Sequence, residues 1–314
     1  MRDGKPFIIV VVGPTAVGKS DFSIELAKRF NGEIISGDSM QVYKQMDIGT
    51  AKVSKEEMNT VPHHMIDILE PDDNFSAYAF KERAQRLISE ITERGRTPII
   101  AGGTGLYIQS LIYDYDFDDE TISDEENERV EAKLKQLEQL SNDELHAYLA
   151  TFDKDSARDI HPNNRKRVVR AIQYYLKTKK LLSSRKKMQH GDLIYDTLLL
   201  GIEMSRNTLY QNINERVDIM LERGLLNEVE QLVNQGYESC QSMQAIGYKE
   251  MVPVVKGEMD LEDAAVILKQ HSRNYAKRQM TWFKNKLDVV WLDKEQRSLS
   301  LMLEEVSALI KTKE

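Results

Sequence analysis

The residues that most restrict what this chain folds into are Gly13-Pro14-Thr15-Ala16-Val17-Gly18-Lys19-Ser20, which satisfy the phosphate-binding loop pattern G-x-x-x-x-G-K-[ST] at every required position. The six residues before them, Phe7 to Val12, form an unbroken apolar run, as a strand buried on both faces requires. The residues after them, Ser20 to Phe30, carry the spacing of an amphipathic helix. In that order the glycines let backbone N–H groups turn inward around an anion. Lys19 supplies a point charge, and Ser20 can place its hydroxyl on Mg²⁺ at the start of the helix. The alternative is a plain glycine-rich turn between a strand and a helix. The pattern names a chemical group, a phosphate or diphosphate, and leaves the reaction open.

The rest of the chain extends this beginning. Gly32 to Asp38 reads as a second strand ending on an acid, Ser76 to Gly95 as an amphipathic helix, and Arg96 to Gly103 as a third strand. Strands alternating with helices predict an α/β fold: a parallel sheet of the P-loop NTPase-like kind, flanked by helices. Such sheets bind ligands outside the carboxyl ends of their strands. The phosphate loop, Asp38 and Gly102-Gly103-Thr104-Gly105 all fall there, which marks an active site by position.

From about Tyr115 to Thr197 the pattern is helical only, with a capping box at Ser141 to Glu144 and apolar periodicity through Val168, Val169, Ile172, Tyr175 and Leu176. This predicts an all-helical domain inserted over 115–197, the core being 1–114 and 198–314. Leu198 to Met204 resumes a strand, Ser205 to Gly224 and Leu261 to Lys286 read as helices, and Asp288 to Asp293 as a last strand before a terminal helix.

Composition excludes several classes. With 314 residues, 41% hydrophobic and 30% charged, the chain needs no disordered or fibrous reading. No apolar stretch approaches membrane length, so a cytoplasmic protein without a membrane partner is expected, and a monomer. Cys240 is the only cysteine, which rules out an internal disulfide and a cysteine-based zinc site. The six histidines show no i, i+4 ligand spacing, and His63-His64 is expected to shape a loop rather than bind metal.

A net charge of −8 speaks against a nucleic-acid partner until its distribution is considered. Between His161 and His190 stand Arg165, Lys166, Arg167, Arg170, Lys177, Lys179, Lys180, Arg185, Lys186 and Lys187, with no acid among them. Asp114 to Glu131 is the reverse, ten carboxylates against Arg129. Each run is either a solvated helix face or an electrostatic guide for a polyanion.

A phosphate-loop protein with an acid after its second strand can be a small-molecule kinase. Against that, the strand Pro98 to Gly103 runs into glycines where a Walker B strand carries an Asp, and a basic helical insertion replaces a compact lid. Six blocks, taken together and in order, decide the matter further: GPTAVGKS at 13–20, Asp38-Ser39-Met40-Gln41-Val42-Tyr43, Gly102 to Tyr107, His161-Pro162-Asn163-Asn164 with Arg165 to Arg170, Gln244 to Glu250, and Tyr275 to Trp282. Over essentially its whole length the chain resembles the bacterial tRNA isopentenyltransferase (dimethylallyltransferase) family. The resemblance implies transfer of a dimethylallyl group from dimethylallyl pyrophosphate to N6 of the adenosine 3′ of the anticodon, with Mg²⁺ as cofactor and the anticodon stem-loop of tRNA as partner. Prenyl transfer to a free adenosine nucleotide and an ATP-dependent kinase or non-catalytic RNA-binding NTPase remain the alternatives.

Adenine N6 is a poor nucleophile, so its attack needs a proton acceptor, and Asp38 is the candidate. Charge developing on the leaving pyrophosphate falls where residues 13 to 20 and Mg²⁺ on Ser20 can stabilise it. The resemblance places Thr104 beside Asp38 and the reacting groups, and Arg216 facing the pyrophosphate. The alternatives are a helix N-cap for Thr104 and a surface ion pair for Arg216. Ser39, Met40, Gln41 and Tyr43 follow Asp38 and are expected to hold a flipped adenine, Gln41 above all, with Met40 and Val42 alternatively ordinary core. Arg278 shares a helix face with Tyr275 and Trp282, a face that also reads as a core stripe through Leu268. Asn163, Asn164, Arg165, Lys166 and Arg167 are the expected tRNA contacts of the insertion. Asn164 stands where the family's motif usually carries an acid.

Overall fold

The structure, a computed structural model, describes residues 4–115, 123–184 and 192–313. The chain divides into two compact units, Met1–Ile112 with Leu193–Glu314, and Tyr113–Asp192. The first contains six parallel strands: β1 Phe7–Val12, β2 Gly32–Ser36, β3 His63–His64, β4 Thr97–Gly102, β5 Asp196–Glu203 and β6 Val290–Asp293, in the order β3-β2-β4-β1-β5-β6. The central strand explains why. Ile8 to Val12 are each 0% exposed. A strand apolar on alternate residues of both faces must be covered on both, which parallel strands with helical crossovers achieve.

The helices of this unit are α1 Lys19–Arg29, α2 Lys55–Thr60, α3 Ala77–Glu93 and α4 Gly105–Ile112 before the insertion. On one side the apolar faces of β1 and β5 meet Phe22 and Leu26 of α1 and Met302 and Val306 near the C-terminus. At roughly 1.5–3 kcal/mol for each buried branched or aromatic side chain, this layer supplies much of the sheet's stability. Among the described residues no helix is long and apolar enough to cross a membrane.

The second unit holds α5 Asp124–Leu137, α6 Asn142–Phe152, α7 Lys154–Asp159 and α8 Arg165–Thr178, packed around Leu137, Leu145, Leu149, Val168, Ala171 and Ile172. The expected capping box is formed, Glu144 N donating to Ser141 Oγ and Ser141 N to Glu144 Oε2. Asp153 joins two segments by accepting from the Ser156 and Ser183 amides, each at 3.0 Å.

Three expectations shift. The helical unit ends at Asp192 rather than Thr197, because Asp196 and Thr197 already pair with Phe7 and Ile8. The second strand stops at Ser36, where its pairing with Ala101 ends, and the chain turns at Gly37 before it reaches Asp38. His63 and His64 form the edge strand instead of a loop, beside Ile34 and Ile35. Arg185 to His190 of the basic run and Asp116 to Ile122 of the acidic run lie outside the described residues.

After the insertion come α9 Arg206–Glu222, α10 Leu225–Asn234, α11 Tyr248–Val255, α12 Leu261–Lys286 and α13 Leu299–Lys313.

Candidate active site

Five segments reach the carboxyl edge of the sheet: the loop after β1, Gly37-Asp38 after β2, Gly103-Thr104 after β4, Met204 after β5 and Lys294 after β6. A close backbone approach draws the second and third together. A Cβ on Gly102 would run into the backbone of Gly37, and Gly37 N donates to Ala101 O at 2.8 Å. Asp38 and Thr104 are thereby neighbours. The Thr104 hydroxyl accepts from Ser39 N at 3.2 Å and lies 3.4 Å from Ser39 Oγ, so it faces the Asp38 segment instead of capping its own helix. Asp38 is oriented in turn, its Oδ1 accepting from Met40 N at 2.8 Å.

Gly18 sits at φ +91° and leads into α1 with no side-chain cap, so the first amides of the helix lack a capping side chain and are suited to an anion. Gly13, Pro14 and Val17 are buried, Val17 within the core behind the loop. Ala16 is left-handed at φ 62°. Lys19 Nζ donates to Pro14 O at 2.7 Å, and burial, reinforced by the nearby Arg216 charge, pushes its pKa down to about 8, with Asp38 opposing. An ammonium so destabilised gains from an anion. Thr15 differs from expectation: its amide donates to Gln279 Oε1 at 2.9 Å, so a partner inside the protein already holds it.

Gln279 also donates to Gly103 O at 3.0 Å. One buried amide side chain thus bridges the loops after β1 and β4. In the sequence Gln279 stands inside a motif block that gives it no role of its own. Tyr275, one turn earlier, has its hydroxyl among Thr104 and Gln279. Burial and the Asp38 charge push its pKa up to about 12 against those hydrogen bonds and Arg278, so the phenol keeps its proton. The Arg278 guanidinium lies 5.6 Å from the Tyr275 ring centroid and is exposed.

Two cavities open here. One, of about 330 Å³, is lined by Asp38, Ser39, Met40, Ile213, Val217, Ile246, Leu268 and Arg278, with Gln244 and Ser272. The other, of about 460 Å³, is lined by Gly18, Lys19, Ser20, Asp21, Gln41, Gly103, Glu215 and Lys294. They share Thr15, Ala16, Asp38, Thr50, Arg216 and Tyr275. Arg216 therefore faces inward, with no ion pair to a described residue. Burial lowers its pKa and Asp38 opposes that shift.

Other residues take structural parts. Gln41 accepts from Ser36 Oγ at 3.1 Å and its amide nitrogen faces the carbonyls of Thr50 and Ala51, so its polar atoms tie the loop together. Met40 is a half-buried wall of the first cavity, not core, whereas Val42 is core, and Tyr43, expected at the adenine, is buried and lines neither cavity. In the helical unit, Arg165 donates to Leu140 O, Asn142 Oδ1 and Glu138 O, which fixes it as a brace between α8 and the α5–α6 connection. Lys166, Arg167, Arg170, Asn163 and Asn164 are exposed, and Asn164 precedes α8 without capping it through its side chain.

Mg²⁺ prefers hard oxygen ligands and retains water, taking one or two protein groups together with substrate phosphates. The Ser20 hydroxyl, exposed on the second cavity, fits that demand. Among the described residues no cluster of three or more acidic, histidine or cysteine ligands forms a closed cage.

A phosphate loop, an acid with a neighbouring hydroxyl, and two cavities that meet at that acid describe a group-transferring enzyme built on a phosphate-loop sheet. The chain belongs to the IPP transferase family, whose model matches residues 41–286. The tRNA dimethylallyltransferase of Staphylococcus saprophyticus is 74% identical over 310 residues, covering 99% of this chain and 98% of that protein. The crystal structure of the tRNA delta(2)-isopentenylpyrophosphate transferase from Staphylococcus epidermidis is 66% identical, covers 99% of this chain and 100% of its own, and superposes with a TM-score of 0.74. A eukaryotic dimethylallyltransferase captured acting on tRNA is 34% identical over 91% of this chain and 73% of its own, with a TM-score of 0.77.

Proposed function

We propose that the enzyme transfers the dimethylallyl group of dimethylallyl pyrophosphate to N6 of the adenosine 3′ of the anticodon in tRNA. The observation that carries this reading is the position of Asp38 on the wall common to both cavities. A donor diphosphate enters the cavity that contains Lys19 and Ser20, and the adenine enters the one that contains Ser39, Met40 and Arg278. Their reacting atoms meet at Asp38 and Thr104. The N6–C1 bond forms, the C1–O bond to pyrophosphate breaks, and Asp38 takes the N6 proton.

Ser20 would hold Mg²⁺, which when bound would supply charge to the diphosphate oxygens, while Asp38 stays free to act as the base. Lys19 and Arg216 bind the same oxygens and stabilise the charge that grows on the leaving group. Thr104, held by Ser39, positions the amine or the bridging oxygen. Extruding the adenine costs least in an RNA loop, and the exposed Lys166, Arg167 and Arg170 of the helical unit bind the backbone phosphates of the stem-loop. The phosphate loop takes the donor rather than ATP.

Mass spectrometry of unmodified tRNA after incubation with enzyme, Mg²⁺ and dimethylallyl pyrophosphate tests the reading. A gain of one C₅H₈ unit at the adenosine 3′ of the anticodon is expected. Modification of free adenosine nucleotide alone, or ADP released from ATP in its place, would replace the reading with one of its rivals.

A further inference from the structure

The carboxyl edge of the sheet carries a cation that the reading above leaves without a task. Lys294 directly follows β6, and its backbone amide donates to Glu203 O at 2.9 Å, which anchors it at the end of the sheet. Its side chain extends across the phosphate loop: a Cβ on Gly18 would collide with Lys294 Nζ. Gly18 is left-handed at φ +91°, so another residue there would be strained as well as obstructive. The ammonium thus rests on the glycine that begins α1, on the wall of the cavity with Lys19 and Ser20.

Lys294 has acidic neighbours on both sides in sequence, yet it pairs with neither. Asp293 Oδ1 accepts from the amides of Glu295 and Gln296, at 2.9 and 3.4 Å. The Glu295 carboxylate is taken by Ser205 N at 2.8 Å, Ser205 Oγ at 3.0 Å and Thr208 Oγ1. Glu203, beside it on β5, is occupied by Lys284 at 2.8 Å. Asp21 and Glu215 line the same cavity without pairing to Lys294, Glu215 accepting instead from Gln211 Nε2 at 2.8 Å. Asp38, also on this cavity, accepts from Met40 N, and Lys294 has no ion pair to a described residue.

We propose that Lys294 is a further binding residue for the donor, its ammonium closing on the outer phosphate of the diphosphate while Lys19 and Arg216 hold the remaining oxygens. This rests on the reading that the phosphate loop binds the prenyl donor. Three cations drawn to one cavity from the β1 loop, α9 and the end of β6 repel one another, and a diphosphate carrying two or three negative charges between them removes that repulsion. Lys294 would contact substrate and leaving pyrophosphate alike, which makes it a residue of affinity more than of rate.

The test is calorimetric titration of inorganic pyrophosphate with Mg²⁺ into the full chain as wild type, Lys294→Ala, Lys294→Arg and Lys19→Ala. Melting temperatures control for folding. Lys294→Ala is expected to weaken pyrophosphate binding about threefold to tenfold, between an exposed ion pair and a charge-assisted hydrogen bond, with Lys294→Arg recovering most of it. The KM for dimethylallyl pyrophosphate should rise by the same factor while the KM for tRNA holds. Unchanged pyrophosphate affinity in Lys294→Ala beside a clear loss in Lys19→Ala overturns this proposal and spares the donor reading. Unchanged affinity in both variants overturns the two together. A loss of tRNA affinity with pyrophosphate binding intact would assign Lys294 to an RNA phosphate instead and equally overturns it.

Discussion

Tyr248 donates its hydroxyl to Glu228 at 2.6 Å, and the same carboxylate accepts the backbone amides of Asp47, Ile48 and Gly49 at 2.9 to 3.1 Å. Burial and the Glu228 charge drive the Tyr248 pKa far upward, so the phenol remains a donor. A Cβ on Gly49 would collide with the Tyr248 ring, which packs the loop against α11 as tightly as the hydrogen bonds do. This loop carries Gly49 and Thr50 into the walls of the active-site cavities, and Gln41 is tied to its far end.

Tyr248→Phe removes one charge-assisted hydrogen bond and leaves three acceptor contacts, so it should cost about 1–2 kcal/mol of stability. Glu228→Gln places an amide NH₂ against backbone amides and should loosen the loop outright. In the proposed arrangement both substrates touch its walls, and we expect their KM values to rise about tenfold in Glu228→Gln with circular dichroism unchanged. Steady-state kinetics beside thermal melts decide it: KM values that stay level would reduce the pair to a remote brace.

Arg165 and its neighbours Lys166 and Arg167 should part company on mutation. Arg165→Ala strands the carbonyls of Leu140 and Glu138 and should lower the stability of the protein by about 1.5–3 kcal/mol. Lys166→Ala with Arg167→Ala removes only exposed charge and should leave melting unchanged. The same double variant should flatten the salt dependence of tRNA binding by roughly 0.7–0.9 for each RNA phosphate it no longer neutralises. A salt slope equal to wild type would make these side chains a solvated face.

At the amino end of the sheet Glu33, 4% exposed, receives Arg94 at 2.8 Å and His64 at 2.6 Å. Burial raises the carboxyl's pKa, but the hydrogen bonds and charges of Arg94 and His64 outweigh it and hold the group below the ordinary value. A depressed acid stabilises the fold above its unfolded pKa, and that contribution disappears as pH falls through the folded value. Glu33→Gln should therefore destabilise by about 1–3 kcal/mol at pH 7, and the deficit should shrink below about pH 4. Chemical denaturation at both pH values checks this. A deficit independent of pH would mean that packing, not charge, is lost.

What was legible in the sequence lay close together along it. The phosphate loop is contiguous, Asp38 follows its strand by two residues, and the strand-helix alternation needs no tertiary knowledge. What was hidden is held by contacts far apart in sequence. Glu228 and the amides of residues 47–49 are separated by about 180 positions, and Gln279 reaches Thr15 and Gly103 from a helix whose periodicity reads equally as core. The edge strand His63–His64 is too short for any alternation to show. Arg165 looked like its basic neighbours because two of its three acceptors are backbone carbonyls, which no residue pattern advertises. Lys294 sits between two acids, and only the structure shows that both carboxylates are engaged elsewhere.

Asp38→Asn separates chemistry from placement. Asparagine keeps the oxygen that accepts from Met40 N, so the turn after β2 and its approach to Thr104 should persist. The neutral amide also resembles the aspartate in size, and the cavity walls on either side stay as they are. What it lacks is basicity. General-base contributions run at about 10² to 10⁴ in rate, equivalent to about 3–5 kcal/mol of barrier, whereas one hydrogen bond in binding is worth about 0.5–1.5 kcal/mol. A single-turnover rate of dimethylallyl transfer and a tRNA dissociation constant, measured on the same preparation, therefore distinguish the roles. We expect the rate to fall by at least a hundredfold, on the order the base term predicts, with tRNA affinity within about threefold of wild type. A rate loss under about tenfold, or an affinity loss that accounts for the whole defect, would make Asp38 a positioning residue and leave the proton to another acceptor, such as the leaving pyrophosphate.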